Sequence, residues 1–308
     1  MSEKSAVSFA HIVNPVNAPE GSELHVAQPV TFKSILRALH FTESDTSVAL
    51  YCIGFPEDEG VAPPEFTRLP VLRRSVLDER KFQVAKKYPI LYDVLQAVYE
   101  HSDAEYLIYT NMDIALMPYF YDAAAMIIKQ EGCDALVINR RGIWRTYCTA
   151  AQLPLMYSEY GMPHPGFDCF IFHRSLFPKL ILDKICLGVA FSEVTMIHNL
   201  IAFAHKLHLE DKRRLTFHIG TEVMPPLPQE YYRYNRAIYE QIIYPQLRPY
   251  LQVEKFPYAM QPFLLRMVKW MLNPSFRTHV MMELEGKSLL RRIKYVLDSW
   301  RFSVFDRW

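Results

Sequence analysis

An amide and a carboxylate two residues apart, Asn111 and Asp113, are the side chains of this sequence best suited to chemistry. They follow a short apolar run, residues 106–109, which predicts a buried strand. In open α/β sheets, ligands bind at the carboxyl ends of the strands. Because two oxygen-bearing side chains at i and i+2 can share one hard cation, and such a cation can hold a diphosphate, the pair predicts a site for a metal ion and a diphosphate.

The elements that must position this pair alternate along the chain. Patterns typical of strands and of helices take turns up to about residue 222: strands at 7–13, 48–53, 106–109, 135–138, 169–172 and 215–219, helices at 30–39, 90–99, 119–130 and 194–207. Such alternation predicts an α/β fold, a mostly parallel sheet flanked by helices. Beyond about residue 225, prolines and tyrosines cluster and no further clear strand appears. We therefore predict a catalytic domain at 1–224 and a helical, aromatic-rich C-terminal extension at 225–308.

Composition narrows the class of protein and its surroundings. Half of the 308 residues are hydrophobic and the formal net charge is +1, so no overall charge favours a nucleic-acid partner, and none is predicted. The five cysteines are odd in number and several lie in apolar runs, which favours a reducing compartment. No basic segment followed by a long apolar one opens the chain, so a cytoplasmic location is predicted. The longest apolar stretch, 263–272, is too short for a bilayer, which needs roughly 20 residues.

Charged and polar side chains also stand at other predicted strand ends and helix starts. Arg140 and Arg141 follow a nearly pure aliphatic strand, where a guanidinium can bind phosphate bidentately, although an exposed basic turn is the alternative. Ser192 is a candidate N-cap, and Glu193 then falls in the first helical turn, where the helix dipole favours a negative charge. His218 lies one residue before the end of the last predicted strand. Each of these positions has a structural interpretation beside a functional one.

The order of the motifs resembles that of GT-A-type nucleotide-sugar glycosyltransferases. The resemblance covers roughly residues 7–222 and is carried by Thr110-Asn111-Met112-Asp113, Asn139-Arg140-Arg141 and His164-Pro165-Gly166-Phe167-Asp168, each beside a predicted strand. In that family an Asp-x-Asp motif holds Mn²⁺ or Mg²⁺ against the nucleotide diphosphate. Here Asn111 stands in place of the first Asp, and a neutral amide oxygen is a poorer ligand than a carboxylate.

The resemblance implies a role for each candidate residue. It implies a metal site formed by Asn111, Asp113 and the late histidine, His218. It implies sugar binding by Asp168 and a catalytic base at Glu193, whose alternative is a purely structural place in the helix start. The implied substrate-binding residues lie in the loop after the first strand and at the strand ends: Asn14, Gln28, Thr110, Arg140, Arg141 and His164. The alternative for Asn14 is that it only shapes a turn, and the alternative for His164 is a turn residue that faces solvent.

These expectations together describe a metal-dependent glycosyltransferase. It would move a sugar from a nucleotide-diphosphate sugar to an acceptor glycan or another hydroxyl compound. A different class stays open, in which the fold is a non-catalytic binding module that docks a protein or membrane partner. The C-terminal stripe of Leu289, Ile293, Val296 and Trp300 either packs on the catalytic domain or makes peripheral contact with the inner face of a membrane.

Overall fold

A single nine-stranded sheet organises the molecule, which is known from a computed structural model that describes residues 6–43, 45–220, 229–273, 276 and 280–286. The strands are β1 Val7–Val13, β2 Thr46–Cys52, β3 Thr67–Arg68, β4 Tyr106–Thr110, β5 Ala115–Leu116, β6 Ala135–Ile143, β7 Met162–His173, β8 Leu207–Glu210 and β9 Thr216–Ile219. They run in the order β3-β2-β1-β4-β7-β6-β9-β5, and β8 pairs with β6. Strand β7 is antiparallel to both of its neighbours, while β1 pairs in parallel with β2 and β4. The predicted mostly parallel α/β sheet is confirmed.

Helices cover the sheet. They are α1 Glu23–His40, α2 Val76–Glu79, α3 Leu91–His101, α4 Phe120–Glu131, α5 Leu153–Met156, α6 Ser192–Phe203, α7 Gln229–Ile238, α8 Tyr244–Leu247 and α9 Phe263–Leu272. Their apolar spacing explains the packing: α3, for example, buries Leu91, Val94, Leu95 and Val98, which share one helical face. Helix α4 ends where Gly132 adopts a left-handed conformation, with φ of 57°, that glycine accepts without strain.

Three local predictions are wrong. The strand predicted at 135–138 continues to Ile143, so Arg140 and Arg141 lie inside β6 and are buried instead of following its end. The pair Pro165-Gly166 predicts a turn before Asp168, but both residues lie inside β7, where the pairing with β6 shifts register. The helix predicted at 194–207 ends at Phe203, and residues 207–210 form β8, because parallel pairing with β6 satisfies their backbone groups.

The described residues of the C-terminal part are mainly helical, as predicted, and share the core of the sheet. One continuous cluster of buried apolar side chains includes Val137 of β6 and Leu200 of α6 together with Tyr239, Phe256 and Trp270. The predicted boundary near residue 225 and the stripe at 289–300 lie outside the described residues, so both stay predictions. Across the part of the chain that the structure describes, no helix combines the length and apolarity that a bilayer crossing requires.

Candidate functional site

A cleft of about 580 Å³ opens at one edge of the sheet. Parallel strands β1 and β4 end there, and β9 ends beside them; because β7 runs the opposite way, its amino-terminal half reaches the same edge. Nine of the eleven predicted site residues line this cleft: Asn14, Thr110, Asn111, Asp113, Arg140, His164, Asp168, Glu193 and His218. Gln28 and Arg141 are not among the lining residues. The sheet therefore collects in one place side chains that are up to 204 positions apart, from Asn14 to His218.

Asp113 and His218 form the first pair in the cleft. Nε2 of His218 lies 3.3 Å from Oδ2 of Asp113. Burial opposes ionisation of Asp113, but the hydrogen bond and charge of His218, with the charge of Arg140, outweigh it and lower the pKa of Asp113. The other carboxylate oxygen, Oδ1, is buried without a hydrogen-bond partner. A buried anionic oxygen that accepts no hydrogen bond is a suitable ligand for a cation.

Tyr109 determines which atom of Asn111 is engaged. Its hydroxyl donates to Oδ1 of Asn111 over 2.7 Å. Burial, followed by the charges of Glu193, Asp113 and Asp168, raises the pKa of Tyr109 well above 10, so the hydroxyl keeps its proton and acts as a donor. One lone pair of the Asn111 oxygen is therefore used inside the protein, and its second lone pair and its amide nitrogen are left for the cleft.

Arg140 lies between an acid and an imidazole. Its Nε is 3.3 Å from Oδ2 of Asp168, and both side chains are 9% exposed. Its terminal nitrogen is 3.2 Å from Nε2 of His164. The ring of His164 is held in turn by the backbone N–H of Gly166, which donates to Nδ1 over 3.0 Å. A Cβ at position 166 would lie 3.0 Å from Cε1 of that ring, so the glycine permits this close approach.

The pKa of Asp168 is raised. Burial is the main cause, and the negative charge of Asp113 adds to it, against the opposing charges of Arg140 and His218. Arg140 therefore compensates an acid that the surroundings would otherwise neutralise. Of the neighbouring carboxyls, Asp113 is the more readily ionised.

Glu193 occupies the first turn of α6 at the cleft wall. Burial raises its pKa to about 7, and the negative charge of Asp168 acts in the same direction. The predicted N-cap, Ser192, is wrong: Phe191 occupies the cap position with φ of 82°, and Ser192 is the first helical residue, its hydroxyl donating to the carbonyl of Val189 over 2.9 Å. A left-handed conformation at a bulky residue is strained, and such strain is common beside functional sites.

The remaining predicted residues serve the surrounding framework. The amide of Asn14 donates to the carbonyl of Ile53 over 2.7 Å while Asn14 lines the cleft. The side chain of Gln28 accepts a hydrogen bond from the N–H of Val16 and donates one to the carbonyl of Val16, each over 3.0 Å. These two bonds fix the loop after β1. Arg141 donates to the carbonyls of Tyr160 and Gly161 and lies over the Tyr160 ring. Arg140 thus meets the cleft, whereas Arg141 points to the next segment.

Thr110 connects the cleft to a fully buried histidine. Nε2 of His11 lies 2.9 Å from the hydroxyl oxygen of Thr110, and Nδ1 lies 2.8 Å from the hydroxyl of Tyr121. Burial lowers the pKa of His11 to about 3, so the imidazole is neutral. This network holds the end of β4, just before Asn111, in a defined position.

Several lining residues are absent from the sequence-based prediction. They include Tyr109, Lys87, Arg145, Tyr232 and the segment at 187–191. Tyr109 precedes Asn111 by two residues, a spacing that would place both side chains on one face of a continuing strand, and this signal was present in the sequence. The segment at 187–191 offers no comparable signal, since its apolar residues look like core.

The residues present fit a divalent ion in part. Asp113 offers an unpartnered buried oxygen, and His218 offers an imidazole nitrogen beside it. Among the described residues, no three His, Cys, Asp or Glu side chains come together as a metal-binding group. Two protein ligands leave most positions of such an ion for water or the oxygens of a diphosphate, which is common for Mg²⁺. Asn111 as a third ligand stays a prediction.

Comparison with known proteins gives structural likenesses only. No family model matches the sequence, and no curated protein matches it. Residues 1–349 of TarS from S. aureus show 10% identity and a TM-score of 0.44 over 92% of each chain. The same fragment in complex with UDP-GlcNAc gives 11% and 0.40, covering 90% of this chain and 71% of that one.

Glucosyl-3-phosphoglycerate synthase from Mycobacterium tuberculosis is a second likeness. Its complex with phosphoglyceric acid shows 14% identity and a TM-score of 0.42, covering 80% of this chain and 81% of that one. Another of its structures contains Mn²⁺, UDP and phosphoglyceric acid. These are GT-A-type glycosyltransferases, the family that the sequence motifs resemble. At these identities and TM-scores the likenesses concern the fold alone.

Proposed function

We propose that this protein is a glycosyltransferase that moves a sugar from a nucleotide-diphosphate sugar to an acceptor hydroxyl. The observation that carries the proposal is the gathering of Asp113 with His218, Arg140 with Asp168, and Glu193 in one cleft. Pairs of carboxyls whose surroundings drive their pKa values apart are typical of acid and base catalysis. Here Asp113 has a lowered pKa and Glu193 a pKa of about 7.

Each side chain has a separate role in the proposed transfer. The acceptor oxygen attacks the anomeric carbon, the bond from that carbon to the diphosphate oxygen breaks, and Glu193 takes the acceptor proton. A base with a pKa near neutrality is suited to this step, since it is partly ionised and still basic. Asp168 accepts hydrogen bonds from sugar hydroxyls, and Arg140, which holds Asp168, also offers charge to phosphate oxygens. An outcome with retention would leave Glu193 without the role of base.

Asp113 and His218 are the residues that would hold a divalent ion, with Asn111 as the third candidate. When bound, such an ion neutralises the charge that grows on the leaving diphosphate. Asp113 stays ionised for this purpose because His218 and Arg140 lower its pKa. We also propose that the protein is cytoplasmic and that the chain divides into a catalytic domain at 1–224 and a C-terminal extension at 225–308.

A screen of nucleotide sugars tests the proposal. Thermal shift with each donor, with manganese and then with chelator, identifies binding, and release of nucleoside diphosphate measures turnover. We expect at least one donor to raise the melting temperature and to be turned over. The Glu193→Gln variant should turn the donor over more slowly than the parent protein. Glu210→Gln is its matched control, because Glu210 is a buried carboxylate that accepts hydrogen bonds from backbone N–H groups outside the cleft. If no donor binds to the parent protein, the proposal is wrong.

The second candidate is a non-catalytic module that binds a nucleotide sugar. The observation in its favour is the engaged oxygen of Asn111 at the position where the resembled family has a carboxylate. Such a module binds a donor with the same affinity in chelator as in manganese and releases no nucleoside diphosphate. The screen separates the two candidates, because only an enzyme turns the donor over.

A further inference from the structure

Helix α9 exposes a continuous apolar ridge. Leu264, Leu265, Val268, Met271 and Leu272 follow the spacing i, i+1, i+4, i+7 and i+8, which places them on one helical face. They are 77%, 48%, 51%, 63% and 72% exposed. A helix of a globular protein normally turns such a face to the core. In α9 this face is on the outside.

The opposite face of α9 packs against the rest of the protein. Trp270 is fully buried and donates from Nε1 to the carbonyl of Pro257 over 2.7 Å. Nε of Arg266 lies 2.5 Å from Oε1 of Glu285, and both side chains are 7% exposed. The ring of Phe256 links Trp270 to Phe276, which packs near Phe167 of the cleft. The helix is therefore held by one face, and the ridge is not needed to attach it.

The exposed apolar side chains are concentrated rather than scattered. Of the nineteen large apolar residues that are exposed in the described part of the chain, eight lie within 260–282, including Met260 at 97%. Single exposed apolar residues need no explanation, but a contiguous patch marks an interaction surface. This concentration separates the ridge from the rest of the surface.

The segment that contains the ridge is basic in sequence. Between Glu254 and Glu283 there is no Asp or Glu, while Lys255, Arg266, Lys269 and Arg277 lie in that interval. Glu285, beyond the interval, pairs with Arg266 on the opposite face of α9. Nζ of Lys269 lies 4.6 Å from the ring centroid of Tyr258, at the side of the helix. An apolar helix face with basic residues and no acids suits an anionic lipid surface, which attracts cations and accepts shallow apolar side chains.

We propose that α9 docks this protein on the surface of an anionic bilayer. The ridge lies in the interface between head groups and acyl chains, and Lys269 at the side of α9 contacts phosphate groups. A second copy of the chain is a weaker occupant, because a ten-residue helix is about 15 Å long, whereas a stable dimer buries about 800 Å² on each partner. Shallow insertion needs no wider patch than one helix face.

Vesicle co-sedimentation of the full chain tests this proposal. We expect binding to vesicles of phosphatidylcholine containing about one third phosphatidylglycerol, weaker binding to phosphatidylcholine alone, and release by salt. Leu264→Glu combined with Met271→Glu should weaken vesicle binding by roughly tenfold or more, because two apolar side chains no longer insert into the bilayer. Met126→Glu combined with Leu155→Glu is the matched control: both positions are exposed apolar side chains on other helices, and binding should be unchanged.

Three results would overturn the proposal. The first is a parent protein that does not sediment with anionic vesicles at low salt. The second is a parent dimer in analytical ultracentrifugation that the α9 variant converts to monomer, since the ridge would then join two copies. The third is a melting temperature lowered by more than about 4 °C in the α9 variant without vesicles, because the ridge would then be covered by the chain itself. Glu193→Gln should bind vesicles like the parent, so the result is independent of the proposed transfer.

Discussion

The carboxyl groups of the cleft have different pKa values because each residue has different surroundings. Asp113 is kept ionised by His218 and Arg140, whereas burial raises the pKa of Asp168 and brings that of Glu193 to about 7. A group that must hold a cation benefits from the first environment, and a group that must take a proton near neutral pH benefits from the last. The residue types alone do not distinguish these roles.

Replacing the Glu193 carboxyl by an amide tests the base. Glu193→Gln keeps the size of the side chain and should lower kcat/KM by about 10² to 10⁴. In the parent protein kcat/KM should rise with pH through about 7 as Glu193 loses its proton, and the variant should lack this rise. Steady-state kinetics across pH, with Glu210→Gln beside it, measures both. An amide variant with full activity would leave Glu193 a structural residue of the helix start.

Glu193→Gln should lower activity but raise stability relative to the parent protein as the pH increases. The folded protein holds the Glu193 proton up to about pH 7, while the unfolded chain releases it near 4.5, so this group favours folding below 4.5 and its contribution is lost as pH rises to 7. Glu193→Gln does not titrate. Relative to the parent, the variant should therefore gain up to roughly 3 kcal/mol between pH 4 and pH 8. Urea unfolding at the two pH values measures this difference; an equal difference at both would contradict the raised pKa.

Asp113→Ala tests the metal site. Removing the carboxylate that has the unpartnered oxygen should abolish most of the dependence of nucleoside diphosphate binding on manganese. Calorimetric titration in manganese and in chelator measures this dependence. Equal affinities of the parent protein in the two conditions would remove the metal from the proposal.

Asn111→Asp distinguishes two roles of Asn111. If its oxygen is a metal ligand, a carboxylate there should keep or strengthen ion binding. If the Tyr109 hydroxyl holds the oxygen and the amide nitrogen donates to the ligand, the same change should weaken nucleoside diphosphate binding with no gain in ion affinity, because a donor becomes a negative charge. Tyr109→Phe is the matched control, since it releases the Asn111 oxygen without adding charge.

At the scale of elements, the cleft wall at 187–191 depends on α7. Oδ1 of Asn235, a fully buried residue of α7, accepts from the N–H of Cys186 over 3.0 Å. Its amide nitrogen donates to the carbonyls of Cys186 and Ala190 over 2.9 and 3.1 Å. One side chain thus holds both ends of the segment that leads to Phe191 and Glu193.

Asn235→Ala should loosen this wall. We expect a loss of about 2–4 kcal/mol in the free energy of unfolding, since several buried backbone groups lose their partners, and a rise of about tenfold in KM from the misplaced wall. Asn199→Ala is the matched control: Asn199 is also fully buried and holds both backbone groups of Ile181, which does not line the cleft. It should lose similar stability with KM unchanged. A raised KM in both variants would contradict a specific role for Asn235.

For the whole molecule, the sheet and the C-terminal helices share one core. Trp270 is fully buried in the cluster that also contains residues of β6 and α6. A shared core predicts that both parts unfold together. The predicted division near residue 225 would then describe a change of secondary structure within one cooperative unit.

Trp270→Ala tests that cooperativity. It should lower the free energy of unfolding by about 3–5 kcal/mol through the cavity that it leaves, and circular dichroism should still show one transition. Trp144→Ala is the control, because Trp144 is 60% exposed and its loss should change stability by less than about 0.5 kcal/mol. Two separate transitions in the parent protein would show that the C-terminal part folds independently.

Apolar periodicity and the polar residues at strand ends are sufficient to predict the order of the main elements and nine of the residues that line the cleft. Apolar runs at β1, β4 and β9 end in Asn14, Asn111 and His218, and parallel strands bring such ends to one edge. This logic is local, because a strand and the polar residue after it are adjacent in the chain.

The remaining features of the cleft depend on contacts between residues that are distant in the chain. Arg140 and Arg141 look equivalent in the sequence, but β6 continues through both, and successive side chains of a strand point to opposite faces. The antiparallel direction of β7, the hold of Tyr109 on Asn111 and the pKa of Glu193 depend on neighbours that are distant in the chain. Burial and charge are sums over all surrounding groups, so a sequence pattern that is read one segment at a time does not contain them.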